Sequence, residues 1–192
     1  MNKLVYIDAC IRDEDSRTKK IATPLIEKLK NKYDITTFII NDLKLDIVQK
    51  ELIKKRLKGD IPDYIINWAE TIRDADRVVI SAPFWDMSIP SSLKVFIELC
   101  SILNVTFKSN NKTCYGNCKS KKVLYITTRG MDISTRDKLD QGTPYLEALS
   151  FLWGLGDVIV VSSQNMDYVG EKEIENKINI AIKEGLEICE NF

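Results

Sequence analysis

Three short segments carry residue types able to act on a ligand. The first, Cys10-Ile11-Arg12-Asp13-Glu14-Asp15-Ser16-Arg17-Thr18, directly follows an apolar strand pattern. Ser16 has the side chain of a helix N-cap, and Arg17, Thr18 and Lys19 then fall in the first helical turn. Free amides at a helix start, two hydroxyls and nearby guanidinium groups suit a phosphate. Cys10 would stand closest to that phosphate, either as a small buried residue or as a thiol favoured by the helix dipole. The acids Asp13, Glu14 and Asp15 would repel an anion, so they should face solvent or pair with Arg12 and Arg17. The same stretch also reads as an ordinary capped helix whose acids satisfy its dipole.

The second segment joins Val78-Val79-Ile80-Ser81-Ala82, a buried-type strand, to Pro83-Phe84-Trp85-Asp86-Met87-Ser88-Ile89-Pro90. Loops at the carboxyl end of buried parallel strands are where open α/β sheets bind ligands. Phe84, Trp85 and Met87 suit a flat, π-rich ligand better than a sugar or a metal ion, although such aromatics also serve simply to cap a core. The third segment, Thr127-Thr128-Arg129-Gly130-Met131-Asp132, again follows an apolar strand. Gly130 permits close backbone approach, and Thr128 and Arg129 supply donors. In a doubly wound sheet the loops after strands one, three and four adjoin at the switch point, which brings these three segments together.

The elements that must position them alternate along 192 residues. Strand patterns cover Leu4 to Asp8, Ile35 to Ile40, Arg77 to Ala82, Val123 to Thr128 and Val158 to Ser162. Helical patterns cover Ser16 to Asn31, Val48 to Leu57, Pro62 to Ala75, Pro90 to Leu103, Thr143 to Leu155 and Glu171 to Glu190. Pro62 and Pro90 are placed in first helical turns, where a missing amide costs nothing. This alternation predicts a single flavodoxin-like domain over residues 1–192. Its five-stranded parallel sheet takes the order 2-1-3-4-5 with helices on both faces. The polar stretch from Asn104 to Lys122 exceeds a plain turn. It reads either as a small hairpin passing near the ligand loops or as a solvated insertion.

Composition excludes several function classes. Lysine plus arginine equals aspartate plus glutamate, 28 each, which argues against a nucleic-acid binder and against a strongly acidic electron carrier. The chain has no histidine, which removes histidine-based nucleophile triads and histidine-ligated metal sites. Five cysteines, an odd number without framework spacing, suit a reducing compartment, and no metal site is expected at Cys114 and Cys118. Without a bilayer-length apolar run or a signal-peptide pattern after Met1-Asn2-Lys3, the expected location is the cytoplasm. Gly154-Leu155-Gly156 precedes a strand pattern instead of following one, so it is no dinucleotide fingerprint.

The chain resembles the FMN-dependent NADH-azoreductases, equally described as NAD(P)H:quinone oxidoreductases. The resemblance is strongest in Ala82-Pro83-Phe84-Trp85-Asp86-Met87-Ser88-Ile89-Pro90-Ser91-Ser92-Leu93-Lys94, Val105-Thr106-Phe107-Lys108, Lys121 to Gly130, and Thr143-Pro144-Tyr145-Leu146. It implies FMN as cofactor and NADH or NADPH as co-substrate, with quinones, azo compounds or similar aromatics as electron acceptors. Cys10, Ser16, Arg17 and Thr18 then match the phosphate loop. Phe84, Trp85, Asp86 and Met87 match the loop along the isoalloxazine ring, and Thr128, Arg129, Gly130 and Met131 the loop at its pyrimidine end. It further implies homodimers with flavin sites at the interface. Asp86 stands where similar proteins usually carry Asn, and Gly130-Met131 where they carry Gly-Gly. Two other readings of the sequence are a flavodoxin-type electron-transfer protein and a flavin-free binding module of the same fold. No side chain is assigned as a catalytic acid, because the flavin carries the chemistry.

Overall fold

The structure, a computed structural model, describes residues 2–192. Strand β1 (Asn2–Asp8) is paired in parallel with β2 (Tyr33–Ile39) on one side and β3 (Arg77–Ser81) on the other. Strand β6 (Lys122–Thr128) pairs with β3, and β7 (Asp157–Ser163) closes the far edge, giving the order β2-β1-β3-β6-β7. A short antiparallel hairpin, β4 (Phe107–Ser109) and β5 (Cys114–Gly116), stands apart from this sheet. The main sheet is therefore the doubly wound order that the alternating patterns predict.

Side-chain alternation along the strands divides the core into two layers. Leu4, Tyr6, Val79, Leu124 and Ile126 face one layer, covered by helices α1 (Arg17–Lys30) and α6 (Glu171–Glu190). Val5, Ile7, Val78, Ile80 and Tyr125 face the other. That layer is covered by α3 (Asp63–Asp74), α4 (Ser91–Cys100) and α5 (Gly142–Trp153). The inner strands β1, β3 and β6 are thus covered on both faces, which explains why they read as continuous apolar runs, whereas edge strand β2 keeps exposed residues. A further helix, α2 (Lys50–Leu57), is anchored by Arg56, whose guanidinium donates to the carbonyls of Glu98 at 3.0 Å and Leu99 at 2.5 Å. Those carbonyls end α4 and lack helical partners of their own.

Three details differ from the sequence reading. Strand β2 starts at Tyr33 because the ladder with β1 runs on to Asn2, and because the Tyr33 hydroxyl donates to the carbonyl of Phe192 at 2.6 Å. Pro62 and Pro90 are N-cap residues with extended ψ of 135° and 141°, and do not fall inside the first turns. Their carbonyls accept the first helical bonds, from Ile66 and Lys94.

The third difference is where the hairpin goes. The amides of Asn117 and Cys118 donate to the carbonyl of Trp153, and that of Lys119 to the carbonyl of Arg73. Trp153 ends α5 and Arg73 lies in the last turn of α3, so the hairpin docks at the amino-terminal edge of the sheet. It is a hairpin, as one reading of the sequence had it, but its base lies opposite the ligand loops of its own chain. Its seat is a contact between two glycines: a Cβ on Gly116 would come 2.2 Å from the amide nitrogen of Gly154. Among the described residues, no helix is long and apolar enough to cross a membrane.

Candidate functional site

The loops after β1, β3 and β6 converge at the carboxyl edge of the sheet and are tied to one another. Beyond β3, the amide of Ala82 donates to the carbonyl of Ile126, and that of Phe84 to the carbonyl of Thr128 at 3.0 Å. The hydroxyls of Thr18 and Thr128 meet at 2.7 Å and join the start of α1 to the end of β6. The three segments singled out by sequence are therefore brought side by side.

In the first loop, Asp13–Asp15 make a single 3-10 turn and face solvent. Ser16 caps α1, its hydroxyl accepting the amide of Lys19 at 3.3 Å. Arg17 pairs with none of the three acids. Its guanidinium instead lies 2.6 Å from Asp167, on the loop after β7. Cys10 is 3% exposed and its thiol turns inward toward Ser81. Burial first, and then the charge of Asp8, push this thiol up to about 12, so it is a neutral interior group. The dipole-favoured thiolate is thereby set aside. Asp8 itself, a buried carboxylate not singled out in the sequence, accepts the Cys10 amide at 3.0 Å and the Ser81 hydroxyl at 3.2 Å. A polar residue closing an apolar strand was the available signal.

Treating the native protein with a thiol reagent at neutral pH is expected to modify exposed Cys114 quickly. Buried Cys10, Cys100 and Cys189 should react only after denaturation. Peptide mass mapping checks this; rapid native labelling at Cys10 would contradict its placement.

The second loop turns at Trp85–Ser88, whose backbones exchange two hydrogen bonds of 2.9 Å. Asp86 and Met87, at φ of 47° and 66°, make this a type I′ turn. Left-handed backbone costs roughly 1–2 kcal/mol for a residue such as methionine, and strain of this kind concentrates at functional sites. The carbonyl of Met87 accepts the amide of Gln141, so the turn is braced against the start of α5. The amides of Asp86 and Met87 meet no acceptor among the described residues.

In the third loop, the Arg129 side chain departs from the sequence expectation of a donor facing the ligand. It is wholly buried, 3.0 Å from the carboxylate of Asp140, with its guanidinium 5.5 Å from the Phe84 ring centre. Burial alone would raise the Asp140 carboxyl. The amides of Arg136 and Thr143, the Thr143 hydroxyl and the Arg129 charge outweigh this and hold it below the ordinary carboxylate range. Asp140 also accepts the amides of Gly142 and Thr143 at the start of α5. Thr18, likewise, spends its hydroxyl on Thr128 and is fully buried. Met131 is exposed on the loop surface.

Two adjoining spaces result, sharing Phe84 and Trp85 as a common wall. The larger, about 1090 Å³, runs between Trp85, Asp86, Lys94, Gln141 and Tyr145. The smaller, about 100 Å³, is bounded by Ser16, Arg17, Thr128, Gly130 and Asp167. Of the twelve residues expected from sequence, Ser16, Arg17, Phe84, Trp85, Asp86, Thr128 and Gly130 line these spaces. Cys10, Thr18, Met87, Arg129 and Met131 stand behind or beside them. Tyr145, Lys94 and Asp167 were missed; the first two lie in segments quoted for the resemblance, whereas Asp167 carries no local signal.

Residues 2–185 match the family described as having a flavodoxin-like fold. The chain belongs to that family. Among curated relatives of this flavodoxin-like protein is the FMN-dependent NADH:quinone oxidoreductase 2 of Clostridium acetobutylicum, 30% identical with all of both chains covered. The FMN-dependent NADH:quinone oxidoreductase of Caldicellulosiruptor saccharolyticus is also 30% identical over the whole of both chains. Among solved structures, an FMN-dependent NADH-azoreductase of Bacillus anthracis in complex with FMN superposes with a TM-score of 0.84 at 21% identity. That alignment covers 100% of this chain and 99% of the other. An azoreductase of the same species gives 0.85 at 18% identity with both chains fully covered. At these identities the structural likeness speaks for the fold.

Proposed function

We propose that this chain is an FMN-dependent oxidoreductase that passes two electrons from NADH or NADPH to quinones, azo compounds or similar aromatic acceptors. In this reading it acts as one domain, within a homodimer in the cytoplasm. The observation that carries the reading is the convergence of three hydrogen-bonded loops on a divided cleft: a polar, cationic compartment beside an aromatic one. The 30%-identical relatives named for this activity, aligned over the whole chain, support it. Unpaired cysteines suit the cytoplasm. For the homodimer, Phe151 is 81% exposed and lies two turns along the same face of α5 as Pro144, which lines the cleft.

The residues present fit the cofactor. At Gly130 a Cβ would come 1.9 Å from the carboxylate of Asp167, so the backbone is kept bare on this wall of the smaller pocket. Ser16, the first amides of α1 and Arg17 would hold the phosphate. Phe84 and Trp85 would flank the ring, and Thr128 and Gly130 would border its pyrimidine end. When bound, FMN supplies a ring that takes a hydride equivalent from the nicotinamide and passes two electrons to the acceptor.

The chain's own part is binding, orientation and electrostatics. Asp86, ionised, can only accept hydrogen bonds, so donation from this turn falls to the free amides of Asp86 and Met87. Such fixed donors stabilise negative charge without reorganisation. Tyr145, Lys94 and Trp85 shape the larger space, in which nicotinamide and acceptor would take turns. Lys94 is itself engaged, with its ammonium 2.6 Å from Glu98 and 5.2 Å from the Tyr145 ring centre.

The visible spectrum of the purified protein tests this. Flavin absorption should be present or appear with added FMN, bleach under anaerobic NADH, and return with a quinone. A colourless protein indifferent to FMN would sink the reading. Bleaching only by a reduced partner protein would favour an electron-transfer role.

A further inference from the structure

We propose that Asp167 is an internal anion competing with the cofactor phosphate for Arg17, and so sets how tightly this chain keeps its flavin. The proposal rests on the reading that the Ser16–Arg17 turn receives that phosphate. Arg17 opens α1, and its guanidinium is held 2.6 Å from a carboxylate 150 residues further along the chain. The Asp167 amide donates to the carbonyl of Gly130 at 3.1 Å, and that of Met166 to the carbonyl of Arg129 at 3.1 Å. The backbone of Asp167 is therefore fixed against the loop after β6. Its carboxylate lies over the Cα of Gly130, in space that any side chain at 130 would occupy. Glycine at this position thus admits the acid to the pocket.

With Asp167 on its wall, the compartment measures about 100 Å³, against roughly 300–1,000 Å³ for sites that enclose small ligands. A phosphate entering beside Arg17 meets a like charge on the same guanidinium, which disfavours both anions sharing it. The carboxylate is well placed to yield. The Asp167 side chain is 61% exposed and that of Arg17 28%, so their pair is of the weak, solvent-screened kind. Swinging outward would both free Arg17 and enlarge the compartment. Asp167 is then neither a ligand of the flavin nor a scaffold residue, but a resident occupant that the phosphate displaces.

Flavin-free full-length protein, titrated by fluorescence with FMN and with riboflavin, tests the competition. Asp167→Asn keeps the shape of the side chain and removes its charge. It should lower the Kd for FMN roughly fivefold, the size expected of one partly exposed ion pair. Riboflavin, which lacks the phosphate, should bind both proteins alike. Arg17→Gln should weaken FMN, and adding Asp167→Asn to Arg17→Gln should then bring no gain. Unchanged or weaker FMN binding by Asp167→Asn overturns the proposal, because an acid that merely orients Arg17 would behave so. Equal tightening of riboflavin overturns it as well, since that would reflect space and not charge. If the unaltered chain binds neither flavin, the cofactor reading falls and the competition with it. If it binds FMN but Asp167→Asn does not differ, only the competition falls.

Discussion

Replacing Arg129 with methionine is expected to destabilise the protein by about 3–5 kcal/mol and to loosen its hold on FMN. Methionine matches much of the side chain's bulk, so the loss is chiefly electrostatic. Arg129 and Asp140 are both sealed from solvent, and removing one partner leaves the other charge buried and uncompensated. In a chain of this length such a loss lowers the melting temperature by roughly 10 °C. The second effect follows from what the guanidinium touches. It stacks near Phe84, bonds Thr135 at 3.2 Å, and sits between Thr128 and Gly130 in sequence, so two walls of the small pocket lose a common support. Adding Asp140→Asn should restore part of the stability, because Asn still accepts the amides of Gly142 and Thr143 without a buried charge.

The same pair fixes an acid limb. Asp140 is held below its ordinary value in the folded state. Its contribution is therefore complete above the unfolded carboxylate value of about 3.9 and is lost as pH falls through the lower folded value. In Arg129→Met one of the groups lowering Asp140 is gone while burial still raises it, so the folded value moves up toward the unfolded one and less stability should be lost on acidification than in the unaltered protein. Melting curves between pH 7 and 3 for both proteins measure this, and curves that stay parallel would contradict the pairing.

Arg129 also marks where sequence reasoning stops. Strands β3 and β6 were legible because both faces of each are covered, so their residues are apolar without alternation. Ser16 was legible as a cap because capping is decided within three residues. The inward turn of Arg129 is not local. It depends on an aspartate 11 residues further on, at the start of a helix whose approach the sheet determines. Asp167 lies still further from its partner, and nothing in Asn165-Met166-Asp167 announces a pocket. The turn at Asp86-Met87 escaped for a different reason: Asp suits its first left-handed position, but the second, where Gly is the usual signal, is held by Met87. The hairpin was legible as a hairpin but not in its place, since its seat is a close contact between Gly116 and Gly154.

Gly156→Ala is the complementary prediction, a loss of similar size at the opposite end of the sheet. Gly156 sits at φ 90° in the tight connection from α5 to β7, where an alanine is strained in any surroundings. Its Cβ would also come 2.0 Å from the carbonyl oxygen of Lys121 and 2.2 Å from the carbonyl carbon. Backbone atoms at the entry to β6 cannot give way as a flexible side chain can. That carbonyl is moreover engaged, accepting the amide of Asp157 at 3.2 Å. Backbone strain and overpacking together should cost about 3 kcal/mol, seen as a fall in melting temperature of roughly 6–12 °C. The carboxyl edge of the sheet is untouched, so the fraction that remains folded should bind FMN with unchanged Kd. Arg129→Met, at comparable stability, should not. Measuring melting temperature and FMN affinity for both variants separates support of the pocket from support of the fold. Equal losses of FMN affinity in the two would mean that the pocket merely follows global stability.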